Sequence, residues 1–283
     1  MTTDSAGLTG LTGLTGLTEL TELTELTEPP AAPTADEMMT VVASRALNNH
    51  DVVFVGIGIP SIAANLARRT HAPEVVLIYE SGTIGTKPSR PPASIGDGEL
   101  ADTAVSVVSG PEIFAYWLQA GRINIGFLGA AQLDRFGNLN TTVVGDYDHP
   151  TTRLPGAGGA PEIALGAQHT VIVLRQNPRA FVDHLDFVTS VGHHRGFSSR
   201  RELGATGSGP SLVITDIGVL RPDVDTDELT LVSLHPGRTV DEAIAATGWP
   251  LKIAADLSVT EAPSSVELSL LREMSAMGES GRP

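Results

Sequence analysis

Three glycine-flanked stretches carry the residue types that covalent or electrophilic chemistry needs, and the first of them centres on an acid. Glu80 opens Glu80-Ser-Gly-Thr-Ile-Gly85, directly after the apolar run Val75–Tyr79. A carboxylate needs no deprotonating base at neutral pH, so once desolvated and aimed it can attack a thioester carbonyl and form a covalent intermediate. Gly82 and Gly85 lack a Cβ, which lets a long, thin ligand approach the backbone closely. The competing reading is a strand-terminal glutamate facing water. Gly56-Ile-Gly58 lies between a predicted strand and a predicted helix, where backbone N–H groups can be aimed at a developing oxyanion, or where a tight turn simply enters the helix. It is not a dinucleotide fingerprint, because the third glycine and the closing acid are missing. Gly156, Gly158 and Gly159 sit in Pro155-Gly-Ala-Gly-Gly-Ala160, which reads either as a surface for close ligand approach or as a flexible loop.

Other polar residues suit bland roles better. His193 and His194 adjoin Arg195, but neighbours on a strand point to opposite faces, so a polar loop is expected rather than a shared metal. His235, after a strand in Leu234-His-Pro-Gly237, either lines the site or satisfies a backbone carbonyl, the commoner use. Lys87 and Arg90 follow the Glu80 loop and have the charge to meet phosphates, against the ordinary reading of solvated cations. No Gly-x-Ser-x-Gly elbow, P-loop or His-Glu-x-x-His occurs, and no metal is expected. With no cysteine, the chain has no thiolate nucleophile and no disulfide, which fits a cytoplasmic location. A net charge of −15 opposes binding to a phosphate backbone, so no nucleic-acid partner is expected. No apolar run approaches bilayer length, and the first residues lack a basic segment followed by an apolar one, so neither membrane nor export is expected.

The elements that must position these residues alternate between strand and helix. Residues 8–28 repeat Leu-Thr-Gly and then Leu-Thr-Glu, a period of three that builds no single apolar face, and a Pro-rich linker follows. Residues 1–33 are therefore expected to be a disordered leader, 34–272 the folded domain, and 273–283 a flexible tail. Thr34 and Glu37 have capping-box spacing ahead of a helix to Leu47. Val52–Val55, Val75–Tyr79, Ile123–Leu128, Val171–Leu174, Leu212–Thr215 and Leu229–Leu234 are apolar runs of the kind that form strands buried on both faces. Helices are expected over Ser61–Arg69, from Ser109 through Leu118, and from Thr239 to Gly248. This alternation predicts an α/β fold: an open, largely parallel sheet with helices on both faces, binding ligands beyond the carboxyl ends of its strands.

Tyr79-Glu-Ser-Gly-Thr-Ile-Gly85, Gly129-Ala-Ala-Gln-Leu-Asp134, Gly137-Asn-Leu-Asn-Thr-Thr-Val-Val-Gly-Asp-Tyr147, Leu154-Pro-Gly-Ala-Gly-Gly-Ala160 and Leu234-His-Pro-Gly237 together resemble family I CoA-transferases of the glutaconate CoA-transferase β-subunit type. The likeness runs in matching order over roughly residues 36–255, which makes it more specific than any one motif. It implies the three-layer fold shared with sugar-phosphate isomerases, an α-subunit partner, and an active site between the two subunits. It also implies Glu80 as the catalytic glutamate, acyl-CoA and a carboxylic acid as substrates, and a glutamyl-CoA thioester. By the same resemblance, Gly56, Gly58, Gly82, Gly85, Gly156, Gly158 and Gly159 are oxyanion or CoA-approach surfaces. CoA enters as substrate, and no tightly bound cofactor is expected. Relatives in this group include carbon–carbon bond-cleaving lyases and decarboxylases that lack the glutamate; its retention here favours transfer. Hydrolysis of acyl-CoA with Glu80 as general base, a non-catalytic CoA-binding scaffold, and a sugar-phosphate isomerase stay open as alternatives.

Overall fold

The computed structural model describes residues 32–193 and 197–280. The Leu-Thr-Gly/Glu repeat, His194 and Arg195 lie outside the described residues, as does the leader expected over 1–33 through residue 31. One mixed sheet of ten strands organises the rest. In chain order these are β1 (Val52–Phe54), β2 (Val76–Ile78), β3 (Thr83–Ile84), β4 (Ser106–Val107), β5 (Ile125–Leu128), β6 (His169–Val173), β7 (Pro210–Ile214), β8 (Gly218–Pro222), β9 (Leu229–Leu234) and β10 (Lys252–Val259). Their spatial order is β10-β9-β8-β7-β6-β5-β1-β2-β3-β4.

The middle of the sheet, β7-β6-β5-β1-β2, is parallel throughout. The flanks are mixed: β8 runs antiparallel to β7 and β9, β9 and β10 are parallel, and β3 is antiparallel to β2 and β4. The expected apolar runs are therefore the parallel core, together with β9. Within this sheet, the strands the sequence pattern missed are the short β3 and β4, the turn-linked β8, and β10, which is only partly buried; it also missed two small two-stranded sheets, Gln132–Leu133 with Leu139–Asn140 and Val143–Gly145 with Pro150–Arg153.

Both faces of the parallel core are covered, which is why its strands read as unbroken apolar runs. Val53, Val55, Leu77 and Tyr79 pack with Met38, Met39, Val42, Ala63 and Ala64, on the side of the helices Ala35–Arg45 and Ile59–Arg69. Phe54, Ile78 and Ile172 face the other way, against Ile113, Leu118 and Ile163. Alternate side chains of one strand thus enter two separate cores, giving the expected three layers. The capping boxes at Thr34/Glu37 and Thr239/Glu242 form as the spacing predicts.

Two elements differ from expectation. The Ser109–Glu112 signal leads from Gly110–Glu112 not into an α-helix but into the π-helix Ile113–Leu118, with Gln119 N donating to Phe114 O and Arg122 N to Trp117 O, each five residues back. And the folded body does not stop at 272. A helix spans Ser265–Ser280, capped by reciprocal bonds between Ser264 and Glu267, and it buries Leu271 and Met274 against Val41 and Leu66. The capping signal Ser264-Ser-Val-Glu267 was present in the sequence, but the polar residues that follow mask a narrow apolar stripe. Among the described residues, no helix is long and apolar enough to cross a membrane.

Candidate active site

At the carboxyl end of β2 the chain folds into a tight hairpin tip. Tyr79 N donates to Thr83 O at 3.1 Å, Gly82 N donates to Tyr79 O at 3.0 Å, and Glu80 and Ser81 form the apex. The tip is held from two sides. Val108 N donates to Gly82 O at 2.9 Å, and behind the strand the buried Tyr79 hydroxyl shares a 2.7 Å hydrogen bond with Ser61 Oγ. Burial pushes the Tyr79 phenol up to about 12, against the pull of the Ser61 bond, so it stays protonated. Ser61 lies in the first turn of the helix that follows Gly56–Gly58, so this bond ties the glutamate's strand to that glycine turn.

Glu80 borders a cavity of about 230 Å³ whose walls come from the ends of three adjacent parallel strands: Gly56 and Ile57 after β1, Glu80 after β2, and Leu128 and Gly129 at the end of β5. Gly158 and Gly159, entering the Ala160–Gly166 helix, close the opposite side. This is where a doubly covered parallel sheet is expected to bind ligand. A larger cavity of about 490 Å³ lies elsewhere, around Arg135, but that guanidinium is bonded to Asp183 and, at 3.2 Å, to Glu228, leaving a structural ion-pair cluster.

The glycines singled out from the sequence divide into groups. Gly56, Gly158 and Gly159 share the cavity with Glu80. Gly159 approaches it most closely, since a Cβ there would sit 2.6 Å from Glu80 Oε1 and 2.6 Å from Phe114 Cζ. Gly58, with φ of 87°, starts the Ile59–Arg69 helix and borders a neighbouring cavity of about 260 Å³ instead. Gly156, with φ of 105°, donates its N–H to Thr141 O at 2.9 Å and does not line the Glu80 cavity. Gly82 and Gly85 do not line it either. Their lack of a side chain answers to the chain itself: a Cβ on Gly82 would lie 1.8 Å from Val108 O, and one on Gly85 would lie 2.9 Å from Val105 Cγ2.

The remaining polar candidates take structural roles. His235 is buried, with Nε2 2.7 Å from Thr215 O and Nδ1 3.2 Å from Thr260 Oγ1, so it satisfies a backbone carbonyl. His193 does lie in a loop, but a buried one, with Nε2 2.7 Å from Pro210 O. Burial pushes both imidazoles below the ordinary histidine value. Arg90 pairs with Asp97 at 2.8 Å and Glu99 at 3.2 Å, and that pairing holds Asp97 down at about 2; Lys87 is exposed. Phe114 is the neighbour of Glu80 that sequence reasoning missed as a site residue. The cap at Ser109 located its helix, but only the π register, which buries Ile113 and Leu118 five residues apart, decides where its ring lies.

Comparison with known proteins identifies the family and the fold. The family described as Coenzyme A transferase matches residues 36–246. The B-subunit of the 3-oxoadipate CoA-transferase of Pseudomonas knackmussii is 57% identical over 246 residues, covering 87% of this chain and 95% of that protein. The B-subunit of the glutaconate CoA-transferase of Acidaminococcus fermentans is 37% identical over 85% of this chain and 91% of its own length. The crystal structure of glutaconate CoA-transferase from that organism superposes with a TM-score of 0.81 at 35% identity, covering 86% of this chain and 94% of the matched one. A mitochondrial succinyl-CoA:3-ketoacid coenzyme A transferase of Rattus norvegicus is 27% identical over 81% of this chain and 42% of its own length. A matched region of this extent, on a fold that brings an acid to a glycine-walled cavity at its strand ends, assigns the chain to the coenzyme A transferase family.

Proposed function

We propose that this chain is the glutamate-bearing subunit of a two-subunit CoA-transferase acting in the cytoplasm, with Glu80 as the nucleophile. The observation that carries this reading is the position of the Glu80 carboxylate on the cavity walled by Gly56, Gly158 and Gly159. A Glu80 oxygen attacks the donor thioester carbonyl, the C–S bond breaks, and CoA thiolate leaves behind a mixed anhydride. The thiolate then attacks the glutamyl carbonyl, expelling the donor acid as its carboxylate and forming glutamyl-CoA. An acceptor carboxylate reverses the two steps and departs as the new thioester. Gly56 and Gly129 leave backbone exposed near the reacting carbonyl, and an α subunit completes the site and reads most of the acid. CoA passes through as substrate.

The sequence resemblance alone suggested a glutaconate-like acid. The stronger likeness to a 3-oxoadipate CoA-transferase supports a six-carbon 3-oxo dicarboxylic acid as acceptor instead. Succinyl-CoA, named for the rat relative, is the donor to try first. The test is exchange between succinyl-CoA and 3-oxoadipate, set beside glutaconate, by the complex with its α-type partner. Glu80→Ala is expected to lower exchange to roughly 10⁻⁴ of wild type or less, as for other removed nucleophiles. Borohydride treatment in the presence of succinyl-CoA is expected to modify Glu80. Exchange that persists in Glu80→Ala, or an unmodified Glu80 during turnover, overturns the mechanism. Free CoA released at the exchange rate without acceptor would make the enzyme a hydrolase.

A further inference from the structure

We propose that Phe114 is the wall that keeps water off acylated Glu80, and so sets the ratio of transfer to hydrolysis. This rests on the nucleophilic role proposed for Glu80. Phe114 is the second residue of the Ile113–Leu118 π-helix. The extra residue in that turn lets Ile113 and Leu118, five apart, both enter the core, and it leaves Phe114 half-buried, packed against the core's margin behind the Gly159 wall of the cavity. Its ring is anchored there by Phe54, with centroids 5.7 Å apart.

Phe114 Cζ and Cε1 lie 2.6 and 2.8 Å from the point where a Gly159 Cβ would stand, and Glu80 Oε1 lies 2.6 Å from that same point. The ring edge and the carboxylate therefore both crowd the same point beside Gly159. An aromatic edge carries partial positive charge, so it tolerates the carboxylate before reaction while offering no hydrogen bond to a water. Glycine at 159 lets the two approach; any side chain there would separate them.

The consequence concerns glutamyl-CoA. Water attacking its carbonyl forms a new C–O bond and breaks the C–S bond; one water proton ends on the CoA thiolate and the other in solvent, and Glu80 returns as carboxylate. Nothing in the covalent chemistry discriminates against this route, because the acceptor is itself an oxygen nucleophile. Discrimination must come from what packs around Glu80, and the Phe114 ring stands against the same glycine as its Oε1.

The experiment uses the complex with its α-type partner and succinyl-CoA as probe. A thiol reagent reads free CoA without acceptor, and exchange is read with 3-oxoadipate present. The ratio of hydrolysis to exchange is expected to rise about tenfold in Phe114→Ala and about threefold in Phe114→Leu, which keeps apolar bulk but loses the flat edge. A loss of general structure would lower both rates together and leave the ratio unchanged. Should Phe114→Ala fail to assemble, Phe114→Leu decides. A ratio equal to wild type in the variants, with Glu80 still modified by borohydride in wild type, overturns the role of Phe114 alone. An unmodified wild-type Glu80 overturns the nucleophile assignment and this inference with it.

Discussion

A methyl group on Gly159 would stand 2.6 Å from both Glu80 Oε1 and Phe114 Cζ, so one of them must move. The backbone at 159 has φ of −87°, which alanine adopts without strain, so the effect of Gly159→Ala falls on the site and not on the fold. A displacement of about 1 Å in a reacting group costs about 100-fold in rate. Gly159→Ala is therefore expected to lower kcat about 100-fold with little change in Tm, as steady-state kinetics and thermal denaturation would show. Gly82→Ala makes the contrast. There φ is 102° and the added Cβ would meet Val108 O at 1.8 Å, so the hairpin tip must rearrange. At least about 2 kcal/mol of stability should be lost, measured by urea unfolding, alongside activity.

Among the elements, the Ser265–Ser280 helix tests where the folded body ends. Its attachment is both apolar and ionic: Leu271 and Met274 enter the cluster with Val41 and Leu66, Glu267 bonds Arg45 at 2.7 Å, and Arg272 bonds Glu37 at 2.7 Å. Both ion pairs reach the Ala35–Arg45 helix, so the first and last described helices brace each other. Burial raises the Glu267 carboxyl, but the Arg45 and Ser264 bonds outweigh it and hold the group at about 2. Met274→Ala should destabilise the chain by about 2–4 kcal/mol, the usual cost of truncating a buried methionine. An unfolding midpoint unchanged from wild type would restore 273–283 to the status of a tail.

Across the whole molecule, stability should follow pH in two windows. His193 and His235 titrate below their ordinary value of 6.5, because burial disfavours the charged ring. The unfolded chain then binds more protons than the native one just below pH 6.5, so stability is full above that pH and declines as pH falls through it. Asp97 and Glu267, both held at about 2, act in the acid range, where their stabilisation is present above 3.8 and 4.5 and is lost as pH falls toward 2. Urea unfolding from pH 7.5 to 5.5 should show the first decline, and His235→Gln should flatten that slope whatever it does to absolute stability. A slope identical to wild type would mean that His235 does not contribute.

How much of this could be read from the chain follows from the range of the forces involved. Capping at Thr34 and Thr239, the unbroken apolar runs of the parallel core, and an acid followed by glycines at the end of one such run are local patterns. Each is set by neighbours within a few residues, and together they carried the three-layer fold and put an acid at a strand's carboxyl end, while the family was legible only in five motifs resembling it in order. What local pattern could not supply was which glycines meet ligand space and which meet the chain itself. Gly82 and Gly159 look alike in sequence, yet one is forced by Val108 O and the other opens beside Glu80 Oε1, contacts that arise only when segments 26 and 79 residues away are brought in. The place of Phe114 likewise depends on a π register that core packing of Ile113 and Leu118 imposes, against the α-helix its capping signal implies. Backbone preference is written in adjacent residues, whereas steric neighbours are chosen by the closing of the whole sheet.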